Sequence, residues 1–366
     1  MKHFLLLFLL TSWSCMMFGQ NQDRWTAFFA TDSIRIGYKD QQGVVKIEPK
    51  FVGYSYAYKF DNIIAVSEEV GESWKNYYLT KEGRSVGVDS LYIFDNGADC
   101  ESEGFIRFRD SKTDQVGMLN SKGDIAIPAV YSDLTRVRNG MIVGLKGAEK
   151  KYWSAGEHAA CNHFSWSGGQ EVLLDTLNNV LVENFSYDYA LNFYSLEKSK
   201  TPTRDTTRKQ FIATDGTYYS FVDFEREFRQ WLIDDLLVNL TEEKLIQASY
   251  PTITWQSSSG WANTKREKFI ADNFATLKSG LSEILETNCD YFIVQDGLNP
   301  FMFEGAEFDP YFNNCREAKD WEYPTLTIVV SHRDKKKFTQ NHFEFLRTNE
   351  GYKLISVTIR NEQVKG

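Results

Sequence analysis

Residues 37–51, GYKDQQGVVKIEPKF, read as a strand, a polar turn and a second strand closed by Pro49. Eighty residues on, residues 117–131, GMLNSKGDIAIPAVY, repeat almost the same shape. Gly43 and Gly123 close the two polar turns, Lys39-Asp40-Gln41-Gln42 and Asn120-Ser121-Lys122. A glycine there supplies the positive φ that a tight hairpin turn needs. Midway lies a third copy, residues 77–94, YYLTKEGRSVGVDSLYIF, whose Gly83 stands 40 residues from each of the other two. Eight residues past each glycine comes a large apolar residue: Phe51, Leu91 and Tyr131. Residues 172–196, VLLDTLNNVLVENFSYDYALNFYSL, read as a fourth copy in which Asn178 takes the glycine's place. Asparagine is the next most tolerant residue in that conformation.

A period of about 40 residues implies small supersecondary units that bury their apolar faces against one another. The competing reading is a non-repetitive β-sandwich with coincidental turn spacing. The units resemble the WG (Trp-Gly) repeat family, which reads Trp-Gly-aromatic-Ile-Asp, then Gly, then Ile-x-Pro and an aromatic. Gly43, Ile47, Pro49 and Phe51 match the later part of that motif, as do Gly123, Ile127, Pro128 and Tyr131. Ile36-Gly37-Tyr38 and Val116-Gly117-Met118 keep its first glycine and lack its tryptophan, and the middle copy keeps only the turn. The resemblance covers residues 33–147, or to 196 with the fourth copy. It implies an all-β module for binding or scaffolding in exported bacterial proteins, and no catalytic residues.

Bulk composition narrows the function classes. Of 366 residues, 42% are hydrophobic, 25% charged and 15% aromatic, which fits folded domains rich in packed strands. A formal charge of −9 disfavours nucleic acid and anionic membrane surfaces as partners. Residues 1–19 have the form of a secretory signal peptide, with Lys2 and His3 ahead of the apolar run from Phe4 to Leu10. A lipoprotein acylated at Cys15 is the alternative, against which Ser12-Trp13-Ser14 is a poor match to the usual small apolar lead. No later stretch reaches eighteen apolar residues, so no transmembrane segment is expected in the mature chain. The expected location is secreted or periplasmic.

Export leaves Cys100, Cys161, Cys289 and Cys315 as disulfide candidates. Four cysteines allow three pairings, and a division into two domains favours Cys100 with Cys161 and Cys289 with Cys315. Between Gly147 and Gly168 the repeat spacing breaks, and the insertion carries His158, Cys161 and His163. Those three form a candidate zinc or copper cluster, weighed against a disulfide flanked by surface histidines. No cofactor is expected.

Residues 197–212, polar and basic, read as a linker. The expected division is a β-repeat domain at 20–196 and an α+β domain at 213–366. In the latter, Phe221, Phe224, Phe228, Trp231, Leu232 and Leu236 make one helical stripe. A second helix is predicted from Thr264, with Glu267 completing a capping box and a stripe running from Phe269 to Leu285. Strands follow at 291–294, 326–332, 343–347 and 352–360, the last two joined about Asn349-Glu350-Gly351.

This order predicts helices on one face of a curved antiparallel sheet. With the ending HFEFLRTNEGYKLISVTI (residues 342–359), it resembles the nuclear transport factor 2-like cone fold. That family includes small-molecule isomerases and cyclases as well as non-catalytic binding domains, and no catalytic position transfers. Asp290, Tyr291 and His332 are the acid–base candidates by strand position. The chain has no nucleophile elbow, phosphate loop or His-Glu-x-x-His pattern. Two readings result. One is an envelope binding or scaffold protein whose partner is another envelope protein or a small ligand; the other is a small-molecule hydrolase or isomerase built on the cone.

Overall fold

A computed structural model describes residues 24–53, 56–94, 96–152, 164–334, 337–360 and 364. The expectations on residues 1–19 and on His158, Cys161 and His163 lie outside the described residues. The fold is mostly β, 49% strand and 13% helix, and includes a curled, largely antiparallel sheet.

The N-terminal half begins with a seven-stranded sheet, ordered 59–60, 25–29, 36–39, 45–51, 63–70, 73–80 and 85–86. Its repeated stretches form hairpins of matching register. Ile36 faces Phe51, Tyr38 faces Ile47 and Lys39 faces Val45. Eighty positions on, Val116 faces Tyr131, Met118 faces Ile127 and Leu119 faces Ile125, with register shifts at corresponding points. Leu173 opposite Val182 and Leu174 opposite Val180 continue the pattern.

The turns match as well. The Gly43 N–H donates to the Asp40 carbonyl, Gly83 to Thr80, Gly123 to Asn120, Asn178 to Asp175 and Gly216 to Ala213. In each turn the earlier residue's own N–H donates to the carbonyl four positions on, as from Asp40 to Val44. All five closing residues have positive φ, from 67° at Asn178 to 86° at Gly83. Gly37 and Gly117 serve a different need: a Cβ would lie 2.5 Å from the Ile47 carbonyl oxygen at the first and 2.7 Å from that of Ile127 at the second.

The stretch expected to be a linker is strand at both ends. Leu191–Ser199 and Arg208–Ile212 both pair with Tyr218–Asp223 in a three-stranded sheet. Arg208 is buried there and donates to the Ser195 and Ser220 carbonyls. Its charge made the segment look solvated from the sequence.

The first helix starts at Phe224, not Phe221. Asp223 caps it by accepting from the Arg226 N–H, and Trp231–Leu236 continues it as a π-helical turn. The second long helix, Arg266–Ser282, begins two residues later than expected and has no capping side chain. Thr264 lies in a strand, its hydroxyl accepting from the Trp255 indole N–H at 3.0 Å. That strand, Gly260–Lys265, and its neighbour Ser249–Ser257 open a six-stranded sheet of order 260–265, 249–257, 351–358, 337–348, 325–334 and 290–296. All its pairings are antiparallel except the parallel 249–257/351–358 pair.

The long helix buries Phe269, Ile270, Leu277 and Leu281 on one face of this sheet, against Ile328, Val330, Phe343 and Phe345. Residues 297–323 cross the opposite face, where Leu298, Phe303 and Phe308 pack on Leu346 and Ile355. This crossing segment also meets the N-terminal half. Arg136 pairs with Glu317, Asn314 donates to Asp61 at 2.8 Å, and Cys315 is bonded to Cys100. The pairings expected between Cys100 and Cys161 and between Cys289 and Cys315 are therefore corrected. The crossing segment carries Cys315 away from the connection that bears Cys289, between the long helix and the Asp290–Asp296 strand, where it is a free thiol packed on the helix–sheet core.

Candidate functional site

The acid–base candidates do not converge. Asp290 and Tyr291 are neighbours on one strand, so their side chains leave opposite faces of the sheet. Asp290 is exposed and sits 3.7 Å from Arg333. Tyr291 turns toward the helix, its hydroxyl accepting a long 3.5 Å bond from Arg229. His332 Nε2 lies 2.7 Å from the Glu283 carboxylate at the end of the helix. The space between helix and sheet is filled by Phe228, Leu232, Phe269, Phe343 and Phe345, all but fully buried. Among the described residues, no group of three or more His, Cys, Asp or Glu side chains could hold a metal.

The open space lies elsewhere, between the N-terminal sheet and the crossing segment. One cavity of about 290 Å³ is walled by Tyr56, Tyr58 and Ala65 on one side and Pro300, Phe301 and Glu304 on the other, with the Cys100–Cys315 bridge in its lining. A second of about 250 Å³ adjoins Thr26, Lys59 and Phe312. Tyr58, Pro300, Glu304 and Arg316 line both, so the two form one cleft.

Local chemistry builds each wall. Asn313 makes a tight turn in which its side-chain oxygen accepts from the Cys315 and Glu317 N–H groups at 2.8 and 3.0 Å. Its backbone repeats the hairpin-turn pattern: the Arg316 N–H donates to the Asn313 carbonyl, and the Asn313 N–H to that of Glu317. Arg316 holds φ 62° where the five N-terminal turns use glycine or asparagine. Its guanidinium lies 4.7 Å from the Tyr58 ring centroid, and that ring packs on Tyr56 at 4.5 Å. Phe301 stands at the rim, 89% exposed.

Behind the cleft a buried ion network joins the two walls. The Asp99 carboxylate, with 0% of its side chain exposed, accepts from Arg107 at 2.6 Å and from Arg136 at 2.9 Å. Burial alone would raise the Asp99 pKa, but Arg107 and Arg136 outweigh it and hold the carboxyl well below the usual carboxylate range. Arg136 reaches on to Glu317 across the junction. Nearby Glu101 is pushed up by burial, although it accepts the Asn62 and Ile63 N–H groups.

Comparison with family models, curated proteins and solved structures returns no match for this chain.

Sequence reasoning named Cys100 and Cys315 without their pairing, and it missed Asp99, Tyr58 and Arg316. One signal for Arg316 was present: Asn313-Asn314-Cys315-Arg316 has the spacing of Asn120-Ser121-Lys122-Gly123.

Proposed function

We propose that this chain is an exported binding or scaffold protein of the bacterial envelope, engaging its ligand in the cleft between the N-terminal sheet and residues 297–323. The observation that carries this reading is the cleft itself: a concave, aromatic-lined space whose two walls are joined by a disulfide and a buried ion network. A disulfide linking distant parts of the chain favours an oxidising compartment. Among the described residues no helix is long and apolar enough to cross a membrane.

The matched hairpin registers support reading the N-terminal half as WG-type repeats, with Gly216 marking a further turn of the same kind. A long helix packed on one face of a curled, mostly antiparallel sheet supports the cone-fold reading of the C-terminal part. Met141, Val143, Phe193 and Phe221 share one core, so the first unit takes in the Tyr218–Asp223 strand and the division follows it. A cone packed with aromatic side chains favours binding over catalysis in that part.

The test is a photo-crosslinking amino acid placed at Phe301 in the exported protein, with Phe338, also exposed, as control. A discrete adduct at 301, competed away by excess unlabelled protein, is expected. No adduct, or the same adducts from 338, would contradict the assignment.

A further inference from the structure

Arg316 occupies a backbone conformation that its own turn would fill more easily with glycine. Five turns of the same hydrogen-bonding pattern in this chain end in Gly43, Gly83, Gly123, Asn178 and Gly216. A non-glycine residue there costs on the order of a kcal/mol, and such strain persists where the side chain is wanted. The side chain is placed with care: its guanidinium carbon lies 4.7 Å from the Tyr58 ring centroid, and Tyr58 is itself packed on Tyr56. A guanidinium held over a ring by cation–π attraction still has N–H groups available to grip a carboxylate. Among the described residues Arg316 forms no ion pair. The same holds for Glu304, which lines both halves of the cleft with it.

The other charges lining the cleft are already answered. Asp99 is held by two arginines, Glu317 by Arg136, and Lys59 by Asp309. Glu101 is engaged by backbone N–H groups. One acid and one base therefore remain at the point where the two cavities meet. A phosphate or other polyanion would meet one arginine among several carboxylates, and a polycation would meet Arg316. A ligand with one charge of each sign satisfies both.

Resting on the cleft as the binding site, we propose that it takes a zwitterionic, peptide-type ligand. The carboxylate sits on Arg316, the ammonium on Glu304, and an apolar side chain lies against Tyr56, Tyr58 and Phe301. Each cavity has room for about one or two side chains, and aromatic walls suit an aromatic or aliphatic one.

Isothermal titration of the full chain with the dipeptide Gly-Phe tests this, alongside N-acetyl-Gly-Phe and Gly-Phe-amide. The free dipeptide should bind saturably, and blocking either end should weaken it about 10-fold or more, the size expected for a lost charged hydrogen bond. The Glu304→Gln variant should lose the penalty for acetylation only, and Arg316→Gln the penalty for amidation only. The blocked peptides on the unaltered protein keep the test valid if a variant misfolds. Absence of saturable binding, or equal binding of free and blocked dipeptides, would overturn the proposal. Should that occur while the Phe301 adduct still forms, the zwitterion assignment fails and the cleft remains the binding site.

Discussion

Cys100 and Cys315 are bonded across a sequence separation of 215 residues, their Cα atoms 6.1 Å apart. Each has a neighbour in the ion network: Asp99 precedes Cys100, and Glu317 follows Cys315 by two. Arg136 touches both carboxylates, so a covalent and an electrostatic link fasten the same two loops. The loop closed by the bridge is long enough that the chain-entropy model assigns it roughly 5 kcal/mol. The cleft wall formed by residues 299–317 thus owes its position to contacts with the other half of the chain as well as to its own packing.

Asp99 should govern part of the acid sensitivity. Its folded pKa is depressed, so its contribution to stability is present above the ordinary unfolded value near 4 and is lost as pH falls below it. Replacing it by asparagine leaves Arg107 and Arg136 without their shared carboxylate. Asp99→Asn should cost about 3–5 kcal/mol at pH 7, with the gap to the unaltered protein narrowing below about pH 4. Urea unfolding across pH checks this; a gap constant with pH would contradict the ion-network account.

The two kinds of glycine should respond differently to alanine. At Gly83 a Cβ meets nothing within 4 Å, so Gly83→Ala suffers only the cost of positive φ, about 1 kcal/mol. At Gly117 the added Cβ would stand 2.6 Å from the Phe108 ring and 2.7 Å from the Ile127 carbonyl. Gly117→Ala should therefore cost about 2–3 kcal/mol. Thermal unfolding of both variants decides the order.

How much of this was open to sequence reading depended on whether a residue's role was local. The hairpins were legible because Gly43, Gly83 and Gly123 mark turns and the flanking residues alternate. The turn at Asn349-Glu350 and the stripe of the Arg266–Ser282 helix were legible for the same reason. The 197–212 stretch misled because Lys198 is exposed on a strand while Arg208 is buried through bonds to backbone carbonyls, which composition does not reveal. The 249–257/260–265 hairpin went unread, although Ile253 and Trp255 alternate with more polar residues. Polar Ser257-Ser258-Ser259 and Pro251 masked it. The cleft was hidden for a deeper reason: its walls are distant in sequence, and Arg316 faces Tyr58 only after the crossing segment has packed on the sheet.

Arg316→Gly should separate stability from binding. Glycine relieves the positive φ but widens the unfolded ensemble, so folding stability should stay within about 1 kcal/mol or rise slightly. The Phe301 adduct and Gly-Phe binding should both be weakened. A large loss of stability would show that Arg316 is there for structure and not for a ligand.

One cleft is shared by two parts of the chain and locked at Cys100–Cys315. Peptide mapping of the exported protein without reduction tests that most directly. A linked fragment containing Cys100 and Cys315 is predicted, with Cys289 alkylated as a free thiol once the chain is unfolded. Before unfolding its reaction should be slow, because burial and Glu283 push its pKa up. Recovery of Cys289 joined to Cys315, or of Cys100 joined to Cys161, would contradict the account.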